Sequence, residues 1–152
     1  MKINQIRQLY SKKDKLHNWN HILKIKRDVQ ILRKGYSNIN EDLLNFLIKF
    51  HGLKDYVLKN KNKFDKNLVI VLLRHNKNPK SIEEKLVFDA NMLDNTGKEG
   101  IRKAIEVGKI LGRSKEQTAK YLKKAIRNVR FYTKKGKILG KKKIDVMKKE
   151  LK

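Results

Sequence analysis

Four histidines, at positions 17, 21, 51 and 75, are the residues of this chain best suited to chemistry. An imidazole can ligate a metal ion or move a proton near neutral pH. His17 and His21 stand one helical turn apart, a spacing that lets two rings reach one ion. No glutamate follows His17, so the zinc-protease pattern does not apply. In the stretch FHGLKDY a glycine, Gly52, sits directly after His51 inside an apolar, helix-like run, and Asp55 follows. Asp89 and Asp94 lie in VFDANMLD. The chain has no cysteine. That excludes disulfide scaffolds, thiol catalysis and thiolate zinc sites, and leaves histidine and carboxylate as the strong metal ligands.

The elements that must position these residues read as helices almost throughout. Ile22, Ile25, Val29 and Leu32 recur at spacings of three and four, which predicts a helix over 17–34 that stops at Gly35. Asn40 followed by Glu41 and Asp42 reads as an N-cap with acids in the first turn, and Leu43, Leu44, Leu47, Ile48 and Phe50 supply a buried face. LVIVLLRH is short and β-branched, as a buried strand would be; Asp65 as a cap and the helical neighbours favour helix. Ser81 with Glu84 is a capping box that opens a helix through Phe88 toward Leu93, and Ser114 with Gln117 opens another that runs to about Thr133. Gly97 and Gly100 are expected to break the chain before IRKAIEVGKIL. Gly136 and Gly140 are expected to loosen the tail before a last helix from Lys141. The architecture implied is an all-α, single-domain helical bundle over 1–133 with a lysine-rich extension over 134–152. No glycine-rich phosphate loop, internal repeat or apolar run of membrane-spanning length is present, so a cytoplasmic protein with no membrane partner is expected.

Net charge is +25, and it is unevenly placed. Residues 1–34 carry ten Lys and Arg against two acids, residues 35–101 eleven against nine, and residues 102–152 nineteen against four. Such a composition accompanies an AT-rich genome, but concentration at the two ends is what a surface facing a polyanion would show. On the late helix, Lys120, Lys123, Lys124, Arg127 and Arg130 form a stripe apart from the apolar face of Ala119, Leu122, Ala125, Ile126 and Val129. Lys134 and Lys135 extend it into a tail holding nine lysines between Lys134 and Lys152. With no base-reading motif in view, the partner expected is nucleic acid, RNA or a ribonucleoprotein, held through its phosphates.

HNWNHILKIKRDVQIL, FHGLKDY, PKSIEEKLVFDANMLDNTGKEGI and NVRFYTKKGKIL together resemble the HD superfamily of metal-dependent phosphohydrolases, in order and over roughly residues 17–139. The resemblance implies an HD-type helical bundle. It implies metal ligands at His21 and His51, a water-positioning carboxylate at Asp55 and a phosphate-assisting histidine at His75. It also assigns acids to positions 18, 52 and 91, where this chain has Asn18, Gly52 and Asn91. A hard or borderline dication needs anionic oxygen as well as imidazole, and glycine offers no ligand. The reading is therefore a catalytically weak or inactive HD-type protein with no cofactor, whose relic pocket, with Lys54 and Arg74 nearby in sequence, could take a phosphate. The alternative is an active phosphohydrolase acting on nucleotides or phosphate esters. It would use a divalent metal (Mn, Ni, Fe or Zn) in a rearranged site of His21, His51 and Asp89, with Asp55 and His75 catalytic.

Overall fold

A computed structural model describes all residues from Met1 to Lys152. The fold is all-α: nine helices in the order α1 (Ile3–Ser11), α2 (Trp19–Leu32), α3 (Glu41–Phe50), α4 (Lys54–Lys59), α5 (Lys66–Arg74), α6 (Ile82–Asp94), α7 (Gly97–Ile110), α8 (Lys115–Asn128) and α9 (Lys134–Glu150), with a single 3-10 turn at Lys61–Lys63. No helix is long and apolar enough to cross a membrane. The chain divides into two units, Met1–Ala90 and Asn91–Lys152.

In the first unit α2 begins at Trp19, two residues later than the spacing of apolar residues alone predicts. The cause is Asn18, whose side chain accepts the His21 backbone N–H and so fixes the start of the helix. Ile22, Ile25, Val29 and Leu32 are buried as predicted, together with Leu44 and Leu47 of α3 and Leu72 of α5. The ambiguous LVIVLLRH is helical. Asp65 caps it by accepting from the N–H groups of Asn67 and Leu68, and a cap is a helix signal that a strand has no use for. The N-terminal α1, for which no helix was predicted, buries Ile6 and Tyr10 one turn apart.

In the second unit Leu122 and Ile126 of α8 pack with Met147 of α9, and Ile101, Ala104, Ile144 and Leu151 close around them. Helix α8 ends at Asn128, short of the predicted Thr133, because Val129 turns extended. Thr133 instead caps the next helix by accepting the Gly136 N–H. Helix α9 is then continuous through Gly136 and Gly140, contrary to the expected loosening. Gly140 is there for close approach: a Cβ at that position would run into the Phe131 ring. The expected break ahead of Ile101 falls at residues 95–96, between α6 and α7, and Gly100 lies inside α7 rather than in the break. Gly97 enters the helix at φ +70°, a conformation open to glycine.

Candidate functional site: a row of histidines

The four histidines fall into one row in the first unit. The His17 and His21 rings are 6.3 Å apart, His21 and His51 5.7 Å, and His51 and His75 5.1 Å between centroids. Exposure is uneven along the row, and His51 is less buried than His21. His17 is exposed and pairs with Asp14 at 2.9 Å, His21 is buried at the start of α2, His51 caps the end of α3, and His75 at the end of α5 has no exposed surface.

Hydrogen bonding fixes the tautomers at the inner end. His75 Nδ1 lies 2.6 Å from the Leu72 carbonyl, which can only accept, so Nδ1 carries the proton. Burial, reinforced by the charge of Lys54, holds the His75 pKa down to about 4 against the pull of the Leu72 carbonyl and Glu84, so the ring is neutral at pH 7. Nε2 of His75 is then an acceptor, and His51 Nδ1, 2.9 Å away, must donate to it. Both nitrogens of His75 are thereby engaged inside the protein, an arrangement that orients His51 but keeps His75 from reaching a phosphate in solvent.

Gly52, next to His51, is packed against Tyr10. Tyr10 is fully buried, and its hydroxyl donates to the Lys49 carbonyl at 2.7 Å while accepting the Gly52 N–H at 3.1 Å. A Cβ on Gly52 would stand 3.0 Å from Tyr10 Cε1 and 3.4 Å from its hydroxyl. Burial raises the phenol pKa well above its usual value, outweighing the Gly52 hydrogen bond, so Tyr10 stays a neutral donor. The space beside Gly52 is thus filled by a neutral aromatic ring. No group of three or more His, Asp or Glu side chains is placed to hold a metal ion. Of the residues that the family resemblance implies for a divalent ion, His21 and His51 are neighbours, Asp89 is buried on α6, and Asp55 is exposed on the first turn of α4.

Of the two cations expected near this pocket, one is near it. Lys54 is half-buried and donates to the Asn76 side chain; burial and the neighbouring Lys77 lower its pKa, and its charge in turn acts on His75. Arg74 is not available to an anion in the same way. Its guanidinium grips Glu84 with two bonds, Nε to Oε1 at 2.7 Å and Nη2 to Oε2 at 2.9 Å. Glu84 is wholly buried and needs that counter-charge. Burial works to raise its pKa, but the bonds from Arg74 and Ser81 outweigh it and hold the carboxyl at about 2. Glu84 was legible in the sequence as a capping residue; its ion pair with Arg74, ten positions away, was not.

The predicted basic stripe lies on the second unit. Lys120, Lys123, Lys124 and Arg127 share one exposed face of α8, while Leu122 and Ile126 are buried on another. Arg130, beyond the end of α8, is exposed too, as is Lys134 at the start of α9, whereas Lys135 is half-buried. Ion pairs of this unit include Arg102 with Glu99 and Glu106 along α7 and Lys103 with Asp94.

No family model matches the chain, and no curated protein does. Solved structures do. Bacillus subtilis YpgQ, determined in complex with ADP, superposes with a TM-score of 0.73 at 22% identity, covering 97% of this chain and 90% of that one. Listeria innocua Lin1889 gives a TM-score of 0.70 at 18% identity over 97% of this chain and 88% of that one. A structural-genomics protein of Lactobacillus plantarum gives 0.65 at 18% identity over 97% and 90% of the two chains. At these identities the likeness is one of fold.

Proposed function

We propose that this chain is a non-hydrolysing HD-type protein that binds the phosphate backbone of nucleic acid, RNA or a ribonucleoprotein, through the cations of its second unit. The observation that carries the reading is the α8 face, where Lys120, Lys123, Lys124 and Arg127 stand exposed on successive turns, continued by Arg130 and Lys134. A row of cations on a rigid helix matches a polyanion better than dispersed lysines do, because neutralised phosphates release condensed counterions. With no acid on α8 after Glu116, the face is unopposed from within its own helix.

The reading against hydrolysis rests on the first unit. Tyr10 occupies the space beside Gly52, and a neutral ring cannot supply the anionic oxygen a dication needs. The competing reading, a phosphohydrolase acting on a nucleotide or phosphate ester, draws on YpgQ having been solved with ADP and on the pairing of His21 with His51. Phosphate is common to both readings; they differ in whether a bond is cleaved.

The test is binding to a fluorescently labelled RNA duplex, which exposes backbone but few base edges. Affinity should fall steeply with salt, and Lys123→Glu, Lys124→Glu and Arg127→Glu together should weaken it at least tenfold and flatten the salt dependence. Unchanged affinity in that triple variant overturns the proposal. Metal-dependent turnover of ADP that is lost in His51→Ala would establish the hydrolase instead.

A further inference from the structure

A shallow, open groove of about 550 Å³ lies on the surface of the first unit at the C-terminal end of α1, remote in sequence from the α8 face. Its lining includes Arg7 and Tyr10 of α1, Lys13 and Lys15 of the turn that follows, and Trp19 and Asn20 at the start of α2. Trp19 is the sole tryptophan of the chain and is half-exposed. Tyr10 lies 5.7 Å from it at a tilt of 54°, which holds the indole in place, and the Arg7 guanidinium hovers 5.9 Å from the ring centroid.

The turn is built rather than loose. Asp14 accepts the N–H groups of Leu16 at 2.8 Å and His17 at 3.0 Å, and its carboxylate also pairs with the His17 ring. These bonds pin the segment between α1 and α2 and occupy its one acid. Arg7, Lys13 and Lys15 remain as the charges around the indole.

We propose that this groove binds a nucleotide unit, with its base laid on Trp19 and its phosphate held by Arg7, Lys13 and Lys15. An indole accepts any base, because every base has a π-face, and cations beside it hold the phosphate without reading sequence. Arg7 over the exposed ring is a cation–π contact of the weak, solvent-exposed kind. A phosphate is the stronger partner for a guanidinium, so ligand draws Arg7 off the ring and frees the face on which the base stacks. The Asn20 amide, exposed at the rim, supplies a donor and an acceptor for a base edge. A free nucleotide and a nucleotide within a single strand present the same chemistry. This site does not depend on the α8 reading, since the two surfaces share no residue.

The sole tryptophan makes the test direct. The emission of Trp19 in the full chain is titrated with ADP and, separately, with an adenylate hexamer. Saturable quenching is expected. Quenching by ADP identifies a free nucleotide as sufficient, and quenching by the hexamer alone identifies a unit within a strand. Lys13→Glu with Lys15→Glu, at surface positions, should weaken the response at least tenfold, while the triple α8 variant should leave it within twofold. For labelled hexamer followed by anisotropy, Trp19→Phe should keep most of the affinity and Trp19→Ala should lose at least fivefold. No saturable quenching by either probe, or quenching unchanged by the two lysine substitutions, overturns the proposal. A failed duplex assay with intact Trp19 quenching would remove the α8 reading and leave this one standing.

Discussion

The Tyr10 hydroxyl accepts the Gly52 backbone N–H at 3.1 Å, and its ring would stand 3.0 Å from a Cβ on Gly52. The glycine and the tyrosine are one arrangement: a Cβ at 52 crowds a fully buried ring that is also bonded to Lys49 and must give by a few tenths of an ångström. Gly52→Asp should therefore destabilise the protein by about 1–3 kcal/mol, the usual cost of overpacking. It should also gain no thermal stability from added manganese, since no cluster of three His, Asp or Glu side chains stands ready to share an ion with it. Tyr10→Phe should cost about 1–3 kcal/mol by leaving the Lys49 carbonyl and the Gly52 N–H unpaired. Thermal and urea unfolding of the variants with and without manganese check both. A manganese-dependent rise in Tm for Gly52→Asp would contradict the account.

His75 gives the fold a pH dependence with a definite sign. Its pKa is about 4 when folded, against an ordinary value of 6.5, so the unfolded chain binds the proton more readily between those limits. Its contribution is fully present above pH 6.5 and is lost as the pH falls toward 4, for a total of about 3 kcal/mol. Protonation would also place a hydrogen on Nε2 and break the bond from His51. His75→Gln should be less stable than the parent at pH 7, and the gap should close toward pH 4. Urea denaturation at several pH values measures it, with the ring resonance of His75 followed by NMR as a direct titration.

Glu84 acts in a lower window. Its folded pKa of about 2 lies below the ordinary 4.5, so its stabilisation is present above pH 4.5 and disappears as the pH falls through 2. Glu84→Gln should cost about 2–3 kcal/mol at pH 7, because it leaves half of a partly buried ion pair and disturbs the Ser81 capping box. Arg74→Met, which removes the cation and leaves the buried carboxylate alone, should cost at least as much at pH 7. At pH 2 the difference between Glu84→Gln and the parent should be close to zero, which equilibrium unfolding at acid pH can read.

How much of this was readable before folding varies by kind of signal. Helices announced by local chemistry came out where the residues put them: Asn40, Asp65, Ser81 and Ser114 each cap a helix by bonds to residues two or three positions on. Apolar spacing picked out Ile22, Ile25, Val29 and Leu32 as core. What stayed hidden was pairing across long stretches of chain. Nothing near Gly52 in the sequence names Tyr10, forty-two positions earlier, and Arg74 read as an available cation because Glu84 is a counter-charge only once α5 and α6 are packed. Helix α1, with Ile6 and Tyr10 as its only buried residues, carries too short an apolar pattern to stand out from a basic N-terminus. Trp19 read as part of a motif, and its value as a half-exposed ring among cations depends on the turn held by Asp14.

Gly140 offers the sharpest contrast between a glycine that loosens a helix and one that admits a neighbour. In a solvent-exposed helix, replacing glycine with alanine stabilises by about 0.5–1 kcal/mol, since alanine has less freedom to lose. At Gly140 the backbone is helical and the residue buried, so the same gain in propensity is available, but the added Cβ would collide with the Phe131 ring. Overpacking of a ring against a helix backbone costs about 1–3 kcal/mol, which exceeds the propensity gain. Gly140→Ala should therefore destabilise the second unit, and pairing it with Phe131→Ala should recover part of the loss from the glycine change. A double-mutant cycle by urea denaturation reads the coupling directly. Additive effects of the two substitutions would show that Gly140 is not there to receive the ring.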